Sequence, residues 1–406
     1  MNKHILVVSQ YFYPEEFRIN DICQEWVKRG YKVTVVTGIP NYPGGKFFKG
    51  YGLFSRRKEN HNGIEIIRLP ILPRLKNPVT LSLNYLSFVV SGYLWKLTTK
   101  INADYVFVFE VSPMTQALPG VWYARKNNIP CYLYVQDLWP ENVETVAGIT
   151  NGLILNAIGR MVDYIYRHCS MIFVPSRSFA EAIRGRGVPE GKIEYWPQYA
   201  EDFYKPLDKN FVSSKKIPQD SVFNITFAGN IGYAQGLEIL PRVAANLKQR
   251  GYLEKIRFNI IGDGRYKDTL MDIVVESGVD SMFNFIPRQP ARQIPELMAT
   301  SDAALLCLAD SSILEMTIPA KLQSYLACGL PIIASASGET KRIVLESEAG
   351  VCCNPGDYVQ LADVIVDLSS RASEELQRMG DNARKYYDEH FAKNRLLDRM
   401  DYYFGA

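Results

Sequence analysis

Apolar positions along the chain fall into two alternating spacings. Short β-branched and aromatic runs at 5–9, 31–37, 64–69, 105–109, 131–135, 171–174 and 193–196 predict buried strands. Helical spacing occupies 17–29 and 177–184 between them, while 38–63 is irregular and rich in Gly, Pro and basic residues. The pattern pauses over 197–218, a polar stretch containing Pro206, and then restarts. Strands are predicted at 224–228, 257–261, 284–287, 303–308 and 331–334, and helices at 237–250, 267–277, 293–299, 357–370 and 373–389. Strands alternating with helices argue for parallel sheets covered on both faces. The expected fold is therefore α/β, with two Rossmann-like, doubly wound domains at 1–206 and 207–390 and a last helix, 391–406, returning to the first. Ligands of such sheets bind beyond the carboxyl ends of the strands, so a cleft between the domains is the expected site.

Composition narrows the function. A chain of 406 residues is too long for one core. A net charge of +3 is too small to argue for nucleic acid. The seven cysteines are scattered and form no C-x-x-C pair, which fits a reducing cytoplasm. His4, His61, His168 and His390 have no metal-ligand spacing, and no Asp-x-Asp occurs, so no metal is expected. The N-terminus has no signal-peptide pattern and no uninterrupted apolar run is long enough to span a membrane.

The run from Thr317 to Ala334 carries the sharpest signal. Pro319 is expected at the first helical position, where its missing N–H costs nothing, and Gly329 at the helix stop. Lys321 then falls in the first turn, where a cation opposes the helix dipole unless an anion sits on the helix N-terminus. The spacing also fits a solvated surface lysine. Gly229-Asn230-Ile231-Gly232 follows the first strand of the second domain, where glycines admit a phosphate or simply make a tight turn. Gly262-Asp263-Gly264 is a second strand-to-helix turn, read first as structural and second as a nucleoside neighbour. In the first domain, Asp137, Trp139 and Glu141 cluster in one loop after a strand, and Tyr13, Glu15 and Glu16 follow the first strand. An aromatic ring beside a carboxylate suits a sugar. The segment 47–58 interleaves aromatics with cations and contains no acid, and 81–97 continues the aromatic pattern. Such surfaces suit an anionic membrane, although a core helix at 81–97 fits equally.

Taken together these residues resemble the retaining, GT-B-fold glycosyltransferases of family 4. The resemblance rests on Phe227 to Gly232 with Gln235-Gly236-Leu237-Glu238, on Ile260 to Gly264, on Ser301 to Leu305, and on Val174 to Phe179. Within the family, Pro319-Ala320-Lys321-Leu322-Gln323-Ser324-Tyr325 is similar to the L-fucosaminyltransferases of bacterial O-antigen and capsule clusters. The resemblance implies sugar transfer from a UDP-sugar, here N-acetyl-L-fucosamine, to an undecaprenyl-diphosphate-linked saccharide. It also implies a peripheral enzyme on the cytoplasmic face of the inner membrane, with no metal or cofactor and no nucleic-acid partner.

The chain departs from the family pattern. Many members carry two glutamates eight apart; those positions are Met316 and Ser324 here, with Glu315 one residue out of phase. The basic residues that usually hold the diphosphate are replaced by Asn230 and, approximately, Gln235. Lys321 and Arg288 are the expected substitutes. The expected donor site is thus Gly229, Asn230, Gly232, Gly262, Asp263, Arg288, Thr317, Pro319, Ala320 and Ser324. Asp137, Lys321 and Glu315 are the expected catalytic residues; Tyr13, Glu15, Glu16, Trp139 and Glu141 are the expected acceptor site. Two rival readings share this architecture: a UDP-sugar 2-epimerase, which needs cleft acid–base residues such as histidine, and a non-catalytic sugar-nucleotide sensor.

Overall fold

The computed structural model describes residues 3–75, 77–212 and 215–405, with the side chains of 145–147 and 211 outside the description. It divides into two compact units. The first runs to Trp196, apart from Ser176–Ser178, and also takes in the chain from Phe404; the second holds Ser176–Ser178 and Pro197–Tyr403. The division thus falls after Trp196, ahead of the boundary that the polar stretch around Pro206 suggests.

Unit 1 contains, in chain order, β1 (His4–Val8), α1 (Arg18–Lys28), β2 (Lys32–Gly38), β3 (Lys58–His61), β4 (Ile64–Leu69), α2 (Pro78–Thr98), β5 (Tyr105–Glu110), α3 (Leu118–Asn127), β6 (Cys131–Val135), α4 (Glu141–Ala147), α5 (Gly152–His168), β7 (Met171–Val174), α6 (Arg177–Gly185) and β8 (Ile193–Tyr195). Its sheet runs β3-β4-β2-β1-β5-β6-β7-β8, parallel except for β3. Every residue of β1 and β6 is buried, which is why their sequences read as continuous apolar runs rather than alternations. On α1, Ile19, Ile22, Cys23 and Trp26 form the buried stripe. Phe404 closes this unit: its ring packs against Trp26, Tyr31 and Tyr105, and its carbonyl accepts the Tyr105 hydroxyl at 2.7 Å.

Unit 2 contains β9 (Phe223–Asn230), α7 (Leu240–Gln249), β10 (Ile256–Asp263), α8 (Lys267–Glu276), β11 (Phe283–Ile286), α9 (Ile294–Ala299), β12 (Ala303–Cys307), α10 (Ser312–Met316), α11 (Ala320–Cys328), β13 (Ile332–Ser335), α12 (Gly338–Glu346), β14 (Gly350–Cys353), α13 (Tyr358–Ser369), α14 (Ser373–His390) and α15 (Lys393–Tyr403). Its sheet is parallel throughout, in the order β11-β10-β9-β12-β13-β14. One apolar cluster fills each face of that sheet. Strand β9 is central to it, so its carboxyl end is flanked by the ends of β10 and β12.

The irregular stretch expected over 38–63 contains β3. Its sequence, Lys-Glu-Asn-His, is polar and lies at the sheet edge, so it carries no burial pattern. Asn62 and Gly63, at φ 52° and 81°, make the two-residue hairpin turn into β4. The helix over 81–97 forms as α2. Asn77 caps it by accepting the Thr80 amide, and Gly92 packs so closely on Pro119 that no Cβ would fit.

Candidate active site

In unit 2 the sequence-distant motifs converge on the carboxyl end of β9. Gly229 has φ 157°, and an ideal Cβ there would stand 3.0 Å from Cδ of Lys321. The Lys321 ammonium lies over the Phe227 ring, 4.4 Å from its centroid, and donates to Oε1 of Gln235. Burial pushes its pKa down to about 8. Lys321 is therefore no solvated surface lysine: its stem is packed along the glycine turn.

Pro319 is the N-cap of α11 rather than its first helical residue, with ψ 139°, and Ala320 begins the helix. Ile318, as the residue before a proline, is biased toward extended backbone, which moves the start one position on. Lys321 still falls in the first turn, and Gly329 ends the helix at φ 69° as expected. Ser324 turns its hydroxyl back to the Ala320 carbonyl at 3.1 Å. Thr317 ends α10 and donates to the Ile313 carbonyl at 2.8 Å, so both hydroxyls are engaged by their own helices. Glu315 is exposed on α10, and its backbone carbonyl crowds the α-carbon of Gly338.

The neighbouring turns divide by cause. A Cβ on Gly262 would run into the Gly229 carbonyl, and one on Gly264 into the Ile231 carbonyl. The close approach of β9 and β10 accounts for both glycines without a ligand. Asp263 closes the same turn: its carboxylate accepts the Gly264 amide at 2.9 Å and its carbonyl the Ile231 amide at 2.8 Å. Gly232 has ordinary extended φ of −131°, but its α-carbon faces the Asn230 amide group, which leaves no room for a side chain. Asn230 is exposed at the strand end. Arg288 is exposed beyond β11, the edge strand two places from β9.

In unit 1, Asp137 and Trp139 grip one residue. The Ser112 amide donates to Oδ2 of Asp137 at 2.6 Å, and the Trp139 indole donates to the Ser112 hydroxyl at 3.2 Å. Glu141 opens α4, half-buried. Beside them, Glu110 ends β5 fully buried, and burial with the Asp137 charge holds its pKa well above the ordinary carboxyl range. Sequence reasoning missed Glu110, Ser112 and Gln235. Glu110 is an acid ending the apolar run Tyr-Val-Phe-Val-Phe, and that placement was the available signal.

The acceptor group after β1 needs correction. Glu15 is buried, and its carboxyl accepts the amides of Asn41 at 2.8 Å, Tyr42 at 2.6 Å and Phe12 at 3.3 Å. It ties two loops together, and its lone pairs are committed to backbone rather than offered to a sugar. Burial outweighs these bonds and raises its pKa to about 7. Tyr13 stacks on His61 with ring centroids 3.6 Å apart, and Glu16 is exposed. Among the described residues no group of three or more His, Cys, Asp or Glu side chains could hold a metal ion, and no helix is long and apolar enough to cross a membrane.

Comparison with known proteins agrees with this architecture. Residues 208–386 match the model "Glycosyl transferases group 1", and residues 16–198 match "Glycosyl transferase 4-like domain". A 143-residue stretch is 28% identical to N-acetyl-alpha-D-glucosaminyl L-malate synthase of Bacillus anthracis, covering 35% of each chain. The match thus spans about a third of that relative's length. Among solved structures, sucrose-phosphate synthase of Thermosynechococcus elongatus superposes with a TM-score of 0.74 at 15% identity, over 99% of this chain and 98% of that one. Anabaena HepE in complex with UDP gives 0.70 at 13% identity, over 100% of both. Built from a glycosyl transferase 4-like half and a group 1 half, the chain belongs to the GT-B glycosyltransferases.

Proposed function

We propose that the protein transfers a sugar, with retention of configuration, from a UDP-sugar to a lipid-linked saccharide. The observation that carries this reading is the meeting of Lys321 with the Gly229 turn at the start of α11. A half-buried cation held beside free helix-start amides is suited to the charge that grows on a departing diphosphate. A related fold binds UDP in HepE, which supports a uridine nucleotide as the leaving group. Asp137, fixed by the Ser112 amide, would orient the sugar or the acceptor hydroxyl. Lys321 and the α11 amides supply the positive charge that a divalent ion otherwise brings, so the reading includes turnover in EDTA.

The donor sugar is the finest part of the proposal. The run from Pro319 to Tyr325 favours N-acetyl-L-fucosamine, whereas the Bacillus anthracis relative carries N-acetyl-glucosaminyl in its name. Purified protein should be incubated with labelled UDP-sugars, with and without membrane extract. Acceptor-dependent UDP release together with labelled lipid supports the transferase. Epimerised UDP-sugar without acceptor, or tight binding with no UDP released, would replace it by an epimerase or a sensor.

A further inference from the structure

At the edge of the unit 1 sheet where β1 and β2 begin lies a cavity of about 880 Å³, away from the strand ends that carry Glu110 and Asp137. Its wall brings together Lys32, Arg57, Lys58 and Lys100 against a single acid, Glu65. Glu65 is itself engaged, accepting the Thr34 hydroxyl at 3.1 Å. Arg57 anchors its guanidinium to the Leu53 carbonyl at 3.0 Å and to the Arg68 carbonyl, which fixes a cation on the rim.

The same cavity is lined by Leu94 and Thr98 of α2. Leu94 belongs to an exposed stripe with Val79, Leu83, Leu86, Val90 and Leu97, each at least 44% exposed. These positions recur three or four apart and so mark one side of the helix. Asn84, Phe88 and Gly92 form the opposite, buried side. No aspartate or glutamate occurs from residue 66 to residue 103. A soluble surface rarely leaves so continuous an apolar stripe bare.

We infer that this cavity binds the phosphate of an anionic phospholipid while the α2 stripe enters the acyl boundary of the same leaflet. A cationic recess sharing a wall with an apolar helix face matches a molecule with an anionic head and aliphatic tails. The site is separate from the donor site and does not depend on the sugar-transfer reading.

The test is sedimentation of the full chain with vesicles of phosphatidylcholine alone or containing 30% phosphatidylglycerol. Binding should rise at least tenfold with the anionic lipid. The combined Lys32→Glu, Lys58→Glu and Lys100→Glu variant should lose it on the order of a hundredfold, since each cation near an anionic leaflet adds a comparable increment. Leu86→Ser with Leu94→Ser should lose binding to both vesicle types. Soluble dihexanoyl-phosphatidylglycerol should compete, and inorganic phosphate at matched ionic strength should not. Equal binding by the charge-reversed variant overturns the site. Competition by inorganic phosphate assigns the cavity to free phosphate instead. A wild-type dimer by light scattering that Leu86→Ser with Leu94→Ser dissolves assigns the stripe to a second copy. UDP release from the donor, read in parallel and unchanged in these variants, keeps the outcome apart from that of the transfer reaction.

Discussion

The stem of Lys321 fills the space that a side chain at Gly229 would need: an ideal Cβ there would lie 3.0 Å from Lys321 Cδ. The glycine and the lysine are thus one device, although β9 and α11 are far apart in sequence. Lys321→Ala should lower transfer by roughly two to three orders of magnitude, the usual loss for one preorganised charge-stabilising group. Circular dichroism should be unchanged. A variant with full turnover would remove Lys321 from the mechanism.

The depressed pKa of Lys321 gives a pH signature. Burial lowers it to about 8 from an ordinary 10.5. A bound diphosphate favours the ammonium, so binding above pH 8 takes up a proton. UDP affinity should be flat below pH 8 and weaken as pH rises through it, by up to roughly tenfold per pH unit. Lys321→Arg, whose guanidinium stays charged, should abolish that slope. Titration calorimetry across pH 7 to 10 reads both.

Gly229 and Gly262 should fail in different ways. At Gly229 the obstacle is the flexible Lys321 side chain, together with φ of 157°. Gly229→Ala should displace the ammonium and weaken UDP binding. At Gly262 the obstacle is the Gly229 backbone carbonyl, which cannot step aside. Gly262→Ala should therefore lower thermal stability whether or not UDP is present. Paired thermal melts with and without UDP separate the two.

The alternation of strands and helices was legible because parallel strands buried on both faces have no polar positions to blur them. Cys131–Val135 and Met171–Val174 form with the bounds expected. Edge strand β3 was hidden because Lys58–His61 is polar, yet its turn, Asn62-Gly63, was in plain sight. The partners of a site were harder to read. Spacing places Lys321 in a first turn, but only the tertiary fold brings Phe227 and Gln235 to it. Glu15 shows the converse error: a carboxylate after β1 has the placement of a ligand group but is consumed by three backbone amides.

That role of Glu15 is itself testable. Glu15→Ala leaves the amides of Phe12, Asn41 and Tyr42 without their acceptor in a buried setting. Each orphaned group costs about 1–3 kcal/mol, so a loss of at least about 2 kcal/mol is expected in denaturant unfolding. A loss below about 0.5 kcal/mol would show that water replaces the carboxyl, and would return Glu15 to the pool of residues free to meet a ligand.

Glu110 should govern the alkaline side of stability. Its folded pKa lies well above 4.5, while in the unfolded chain it reverts to an ordinary value. The folded state therefore binds more protons between the two values. Stability from this group is full below about pH 4.5 and is lost as pH rises toward the folded pKa, at about 1.4 kcal/mol per pH unit. Glu110→Gln keeps the shape of the protonated acid and cannot ionise. The variant should match the wild type near pH 4.5 and gain on it steadily at higher pH, because the wild type must hold a proton there that its unfolded chain has released. Urea midpoints from pH 5 to 8 read the difference directly. Parallel curves for the two proteins would mean that Glu110 is ionised beside Asp137, leaving two adjacent carboxylates rather than one acid and one base at the end of β5.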